Sequence, residues 1–208
     1  MPRITSLQVQ KNDPERVTVY LDDEFAFGLS AMLVLARNLS PGQELSQHDI
    51  ESLQGDEIVE RSYGAALNFL SYRPRSRGEV ADYFRRKKID LGVVEAVVAR
   101  LERAGLLDDQ EFARFWVENR QTFRPRGTRA LRMELRQKGL ESGLIDAALA
   151  QVGDEEDTAY TTGLTRVRTY GALDEREFSR KMISFLQRRG FPYEAAAAAA
   201  KRLWEEHG

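Results

Sequence analysis

Cysteine is absent from this chain of 208 residues, which excludes disulfides, thiol nucleophiles and thiolate metal sites. Histidine is scarce: His48 and His207 are the two that occur, too few for most histidine-based catalysis or metal clusters. Long apolar runs are missing as well. The longest, Ala31–Ala36 and Ala195–Ala200, are six residues each, against the ~20 needed to cross a bilayer. The opening Met-Pro-Arg-Ile-Thr has no apolar signal core, so a cytoplasmic protein without membrane attachment is expected. Phosphate-binding loops, Gly-rich dinucleotide loops and nucleophile elbows do not occur. The chain is therefore read as a non-enzyme with no catalytic residues, no metal and no cofactor. The acidic run Asp154-Glu155-Glu156-Asp157 is explained by a helix N-terminus, where carboxylates meet the positive end of the dipole.

Charge is balanced overall, at a net of −2, and unevenly spread. Residues 1–64 hold 5 basic and 11 acidic side chains, residues 65–152 hold 17 and 12, and residues 153–208 hold 9 and 10. Within the middle block, residues 73–88 carry seven basic groups against Glu79 and Asp82, and residues 112–140 carry eight against Glu118 and Glu134. A basic centre beside an acidic N-terminus is where a polyanion would land, although arginines on helical surfaces also serve simply to solvate a protein.

Residues 3–29 alternate apolar and polar with period two: Leu7 and Val9; Val17, Val19 and Leu21; Phe25, Phe27 and Leu29. With turns at Asn12-Asp13-Pro14 and Asp22-Asp23, this predicts a three-stranded antiparallel meander. So small a sheet needs a covering layer, and the apolar segment Ala31–Ala36, capped by Ser30, is the nearest.

From about Ser46 onward the pattern is helical and repeats. Phe84, Leu135 and Leu186 stand 51 residues apart, and the stretches FRRKKIDLGVVEAVVARL, LRQKGLESGLIDAALAQV and LQRRGFPYEAAAAAAKRL agree column by column. Lys87, Lys138 and Arg189 align, then Lys88, Gly139 and Gly190, then Ile89, Leu140 and Phe191. Each copy reads as two helices joined by a basic-Gly turn of the left-handed kind, and Lys88 in the glycine column predicts a looser first turn. A further helix precedes each pair, at Asp56–Tyr72, Gln110–Phe123 and Glu155–Tyr170. Ser76 with Glu79, Asp108 with Glu111, and Asp174 with Glu177 have capping-box spacing. The fold class is thus mainly α: three tandem three-helix repeats in an elongated, curved body, preceded by a small antiparallel β meander. The expected division is residues 1–45, 46–107, 108–153 and 154–208.

A turn before a last helix suggests helix-turn-helix reading of DNA. The last helices, Leu91–Arg103, Ser142–Val152 and Tyr193–Glu205, are instead rich in Val, Ile, Leu and Ala, with no base-reading side chains along Ala195–Ala200. The charge lies on the middle helices. Arg129, Arg132 and Arg136 share one helical face opposite Leu131 and Leu135, and Arg77, Arg85 and Lys88 form a comparable stripe in copy one. Copy three loses it, with Ile183 and Gln187 in place of Arg132 and Arg136. A basic surface across the first two copies follows, made of Arg73, Arg75, Arg77, Arg85, Arg86, Lys88, Arg120, Arg124, Arg126, Arg129, Arg132 and Arg136. Its expected ligand is a phosphate backbone or an acidic protein groove. Tyr72, Trp116 and Phe123 lie beside it in sequence and could stack on bases, with Trp116, four residues from Phe112, reading more naturally as core.

Arg73-x-x-Ser76-x-x-Glu79-Val80, Gly105-Leu106-Leu107-Asp108-Asp109-x-x-Phe112-Ala113, Arg124-x-x-Gly127-x-x-x-Leu131-x-x-Glu134-Leu135-x-x-Lys138-Gly139, and Arg188-Arg189-Gly190-Phe191 together resemble the bacterial RecX regulatory proteins. The resemblance covers about residues 60–205, and the strand-rich N-terminus looks like an extension carried by some members. It implies a non-enzymatic modulator acting in DNA repair, recombination and the SOS response. Such a protein binds RecA recombinase and its filament on single-stranded DNA, lies in the filament groove, and inhibits ATPase, strand exchange and coprotease activity. The mechanism expected is competition for contacts needed in filament growth or subunit closure. Weak direct nucleic-acid binding and a monomeric state are also expected. The alternatives are a general single-stranded or duplex DNA-binding protein acting without RecA, and a scaffold that never meets nucleic acid.

Overall fold

A computed structural model describes residues 1–207, which form three strands and ten helices in two compact units. The first unit comprises residues 1–74 and 80–106; the second comprises residues 75–79 and the chain from Leu107 onward. No helix of the described residues is long and apolar enough to cross a membrane.

In the first unit, β1 (Ile4–Gln10), β2 (Asp13–Leu21) and β3 (Glu24–Ser30) form an antiparallel sheet in the order β1-β2-β3. Asp22 and Asp23 both take positive φ, 48° and 69°, the backbone a tight two-residue hairpin needs. Ile4, Val19, Phe27 and Leu29 share one core, and Val17 is buried as well. The strict alternation expected from sequence is interrupted by three register shifts, between Ile4 and Ser6, between Val9 and Gln10, and between Val19 and Tyr20. A bulge adds a residue and flips the pleat. Phe25, beyond the shift at Val19 and Tyr20, consequently stands 68% exposed, edge-on to Tyr20 with ring centroids 6.5 Å apart; Val9, near the end of β1, is exposed as well.

The covering layer is α1 (Ala31–Ala36), capped by Ser30 as expected, together with the first half of α2 (Gln47–Ser71). The periodicity placed the start of this helix at Asp56; it begins nine residues earlier, where Ser46 and Asp49 close a reciprocal capping box. The added turns bring Leu53 into the sheet core. One turn further on, the buried Glu57 carboxylate lies against the sheet, where it accepts from Arg16 Nη1 and from the Ser30 backbone N–H, both at 2.6 Å. The second half of α2 packs on α4 (Leu91–Arg103), and α3 (Arg77–Arg86) connects them. Arg100 locks α2 to α4 by pairing with Glu60 and lying 3.9 Å over the Tyr63 ring. Val94, Val97, Val98 and Leu101 bury the apolar stripe of α4.

The second unit holds α5 (Asp109–Phe123), α6 (Thr128–Gln137) and α7 (Ser142–Leu149), then α8 (Glu155–Tyr170), α9 (Glu175–Arg188) and α10 (Tyr193–His207). Each triplet has its own core. The alanine run of α10 is explained by packing. Ala196, Ala199, Ala200 and Leu203 are fully buried, and a Cβ on Gly163 of α8 would lie 2.5 Å from Leu203 Cδ1. Small residues on both sides let the helices approach closely.

The turns after α3, α6 and α9 are the same turn. Ile89, Leu140 and Phe191 each donate a backbone bond to the carbonyl five residues back (Phe84, Leu135 and Leu186), all at 3.2 Å. Lys88, Gly139 and Gly190 each donate to the carbonyl three residues back and have φ of +57°, +81° and +90°. This is the double-bonded left-handed helix stop. The looser first turn expected from Lys88 is therefore not found, because lysine adopts the left-handed backbone itself. Space explains why lysine is admitted there and not in the later copies. A Cβ on Gly139 would sit 3.0 Å from Gly78 Cα, and one on Gly190 would overlap the backbone and Cβ of Ala130. Lys88 has no repeat before it and is exposed.

Two tests follow from this packing. Gly190→Ala is expected to cost more than about 2 kcal/mol, combining left-handed strain with overlap, whereas Lys88→Gly changes stability by less than about 1 kcal/mol. Urea unfolding of the full chain compares them, and equal losses would refute the packing account. By the same measurement, Glu57→Ala is expected to lose about 2 kcal/mol or more because it strands a half-buried arginine. Asp56→Ala, which breaks the exposed pair with Arg37, is expected to stay within about 1 kcal/mol.

Candidate functional site

The candidate basic residues differ in what already neutralises them. In the second unit, Glu134 of α6 is a shared acceptor. Arg120 Nε donates to its Oε2 at 2.7 Å and the Trp116 indole donates to the same oxygen at 2.8 Å. Arg126 Nε lies 3.1 Å from Oε1, enclosed and off the line a hydrogen bond requires. The Trp116 ring is half-buried, stacks on Phe112, and lies 4.5 Å from the Arg120 guanidinium and 4.9 Å from Lys138 Nζ. Trp116 is thus core, as its spacing from Phe112 suggested. Arg120 and Arg126 are tied to α6 by the same carboxylate.

On α6 itself, Leu131 and Leu135 are fully buried, and the three arginines expected opposite them divide. Arg132 is half-buried and paired with Asp146 of α7. Arg129 and Arg136 are exposed with no acidic partner among the described residues, as is Arg124 just after α5. Phe123, beside Arg124, is 74% exposed.

Arg75 and Arg77 also belong to the second unit, at the start of α3, where the sequence carries a capping serine. The Ser76 hydroxyl, fully buried, accepts from the Glu79 N–H at 3.1 Å and donates to the Lys138 carbonyl at 2.6 Å. Lys138 Nζ reaches Glu79 Oε1 at 2.5 Å, and the Arg77 backbone N–H donates to Asp109 at 2.7 Å. The next junction repeats the scheme with different chemistry. Gly127, in the Ser76 column, donates its own N–H to the Arg189 carbonyl at 3.2 Å. The Thr128 N–H then donates to Glu155 at 2.6 Å. Part of the acidic run at Asp154–Asp157 therefore satisfies a neighbouring helix, while Asp154 caps α8.

In the first unit, Arg73 donates to the Pro74 carbonyl at 2.8 Å. At the end of α3, Arg85 pairs with Asp82 at 2.6 Å, and Arg86 and Lys88 are exposed. Tyr72 is 76% exposed.

Two further arginines, Arg166 and Arg189, escaped the sequence reading. Both guanidinium carbons lie 5.2 Å from the Phe185 ring centroid. Arg189 shares a column with Lys138, which could have signalled it; no repeat column signals Arg166.

Comparison with known proteins agrees with the motifs and extends them. The model for the regulatory protein RecX N-terminal domain matches residues 2–46, and those for the first, second and third RecX three-helix domains match residues 63–101, 108–149 and 154–205. The sheet region, expected to be an extension outside the resemblance, thus has a family domain of its own. A regulatory protein RecX of Bacillus subtilis is 32% identical across 100% of this chain and 79% of its own length. One from Lactobacillus delbrueckii subsp. bulgaricus is 34% identical across 99% and 76%. A crystal structure of a regulatory protein RecX superposes with TM-score 0.81 at 24% identity over 99% of this chain and 100% of that one. RecX from Lactobacillus salivarius gives 0.65 at 24% identity over 72% and 99%, so both share the fold. With a sheet domain and three helical triplets each matched in order, the chain belongs to the RecX family of regulatory proteins.

Proposed function

We propose that this chain regulates RecA by binding the recombinase and its filament on single-stranded DNA. It restrains ATP hydrolysis, strand exchange and the SOS-inducing coprotease activity. Family membership supports the regulatory role, and no step of the proposal requires catalysis by this chain. The observation that carries the site is the division on α6: Arg129 and Arg136 present unpaired charge from a helix whose other side is locked in the core. A guanidinium without a carboxylate partner keeps its full attraction for phosphate or an acidic protein groove; one already paired offers less.

The proposed contact set is therefore led by Arg124, Arg129 and Arg136 in the second unit and by Arg86 and Lys88 in the first. Arg73, Arg75, Arg77 and Arg85 are flanking charges, and Arg120, Arg126 and Arg132 hold helices in place. The regulator acts by occupying contacts that the filament needs to grow or to close around nucleotide, a population shift that requires differential affinity for the blocked state.

The test is the ATPase of cognate RecA on single-stranded DNA, titrated with this protein. Inhibition at amounts well below the RecA concentration is expected, and none from the folded wild type would refute the regulatory reading. Arg129→Glu with Arg136→Glu is expected to raise the amount needed by about tenfold or more, consistent with losing two charge-assisted contacts, while the melting temperature holds. Unchanged inhibition by that double variant would remove α6 from the site.

A further inference from the structure

The sequence comparison leaves the third repeat without a basic stripe on its middle helix, yet the second unit gathers arginines from elsewhere. Arg124 and Arg126 follow α5, Arg166 lies on α8, and Arg189 ends α9. The Gly127 N–H bond to the Arg189 carbonyl fixes the last of these next to Arg126. The guanidinium carbons of Arg166 and Arg189 each lie 5.2 Å from the centroid of the buried Phe185 ring. Among the described residues the only carboxylate reaching the group is Glu134 on Arg126, and it already accepts from Arg120 and Trp116. Among the described residues Arg124, Arg166 and Arg189 have no acidic partner. The Arg189 guanidinium is held below its ordinary value first by its own burial, then by the charges of Arg126, Arg166 and Arg124.

Like charges gathered around a half-buried guanidinium disfavour the folded state unless an anion joins them. Arg126 Nε is enclosed 3.1 Å from Glu134 Oε1 without an aligned hydrogen bond, while the side chain as a whole remains 38% exposed. Planar guanidinium forks suit phosphate oxygens, which accept in bidentate pairs. Phe123, exposed beside Arg124, adds a ring on which a base can stack.

We propose that Arg124, Arg126, Arg166 and Arg189 form a phosphate-binding site for the backbone of single-stranded nucleic acid, with Phe123 stacking an adjacent base. The site lies where the second and third triplets meet and involves helices α8 and α9. It concerns direct contact with the strand and does not rest on the reading of RecA regulation.

The experiment measures binding of a labelled oligothymidylate to the full-length protein, without RecA, across a salt series. Arg166→Gln with Arg189→Gln is expected to weaken binding about tenfold and to flatten the logarithmic salt slope by about 1.4, or roughly 0.7 for each of two lost phosphate contacts. Arg176→Gln with Lys201→Gln makes the same change in net charge at exposed positions outside the cluster. An equal loss there would show bulk electrostatics and overturn the proposal, as would wild-type affinity in the cluster variant. If the double variant does not fold, Arg166→Gln alone, at an exposed position, is expected to move in the same direction. Phe123→Ala is expected to weaken the oligothymidylate and not an abasic strand of equal length; equal effects on both would overturn the stacking assignment. Polyglutamate of matched charge is expected to compete poorly. Competition equal to that of the oligonucleotide, lost in the same variant, would make this a site for acidic protein and overturn the nucleic-acid assignment. RecA ATPase inhibition, read separately, distinguishes failure here from failure of the regulatory role.

Discussion

The helical repeats depend on close backbone contact at the glycine turns. Where a left-handed turn presents a glycine, the start of the preceding middle helix can lie against it: Gly78 against Lys138 and Gly139, and Gly127 with Ala130 against Gly190. Side chains are excluded from these points, so the contact is made by main-chain atoms whose hydrogen bonds must still be satisfied. They are satisfied across the junction. A serine hydroxyl or a glycine N–H meets a turn carbonyl, and a carboxylate from the next first helix takes the N–H that starts the middle one. Apolar cores fill each triplet, but within the second unit these polar links set the spacing between its two triplets.

Much of this was legible in the amino-acid order, and what escaped it has a physical pattern. The strand period, the Ser30 cap and the extents of α4 and α8 followed from local chemistry, because each is decided within a few residues. The outward turn of Phe25 did not, since a bulge depends on the partner strand. Nor did the early start of α2. Ser46 and Asp49 carry the capping signal, but the polar segment after them shows little helical periodicity until the sheet supplies a surface for Leu53 and Glu57. Glycine in a repeat column reads as a demand of the turn, but in copies two and three it is also a demand of the neighbour, which is why Lys88 can stand in the first.

The candidate site illustrates a related limit. Helical spacing correctly set Arg129, Arg132 and Arg136 apart from Leu131 and Leu135, but spacing does not reveal pairing. Asp146 lies on another helix and takes Arg132, and Glu134 draws in Arg120 and Arg126 from outside α6. A count of arginines thus overstates the charge available to a ligand. The gathering around Arg189 is the converse case: Arg124 and Arg126 come from a basic stretch, but Arg166 and Arg189 lie outside it in sequence and join them only on folding.

Helix α2 serves two masters, with Leu53 and Glu57 facing the sheet and Ala66 buried in the second half that packs on α4. Because helical residues advance by about 100° and 1.5 Å each, the segment between Glu57 and Ala66 acts as a phase setting between these two surfaces. Inserting or deleting one residue there would swing the sheet around the helix axis by over a quarter of a turn. Four residues, close to one whole turn, would nearly restore the angle and leave a displacement along the axis. Length variation in this stretch is therefore governed by angular phase, a constraint that the hairpin turns of the same unit do not carry.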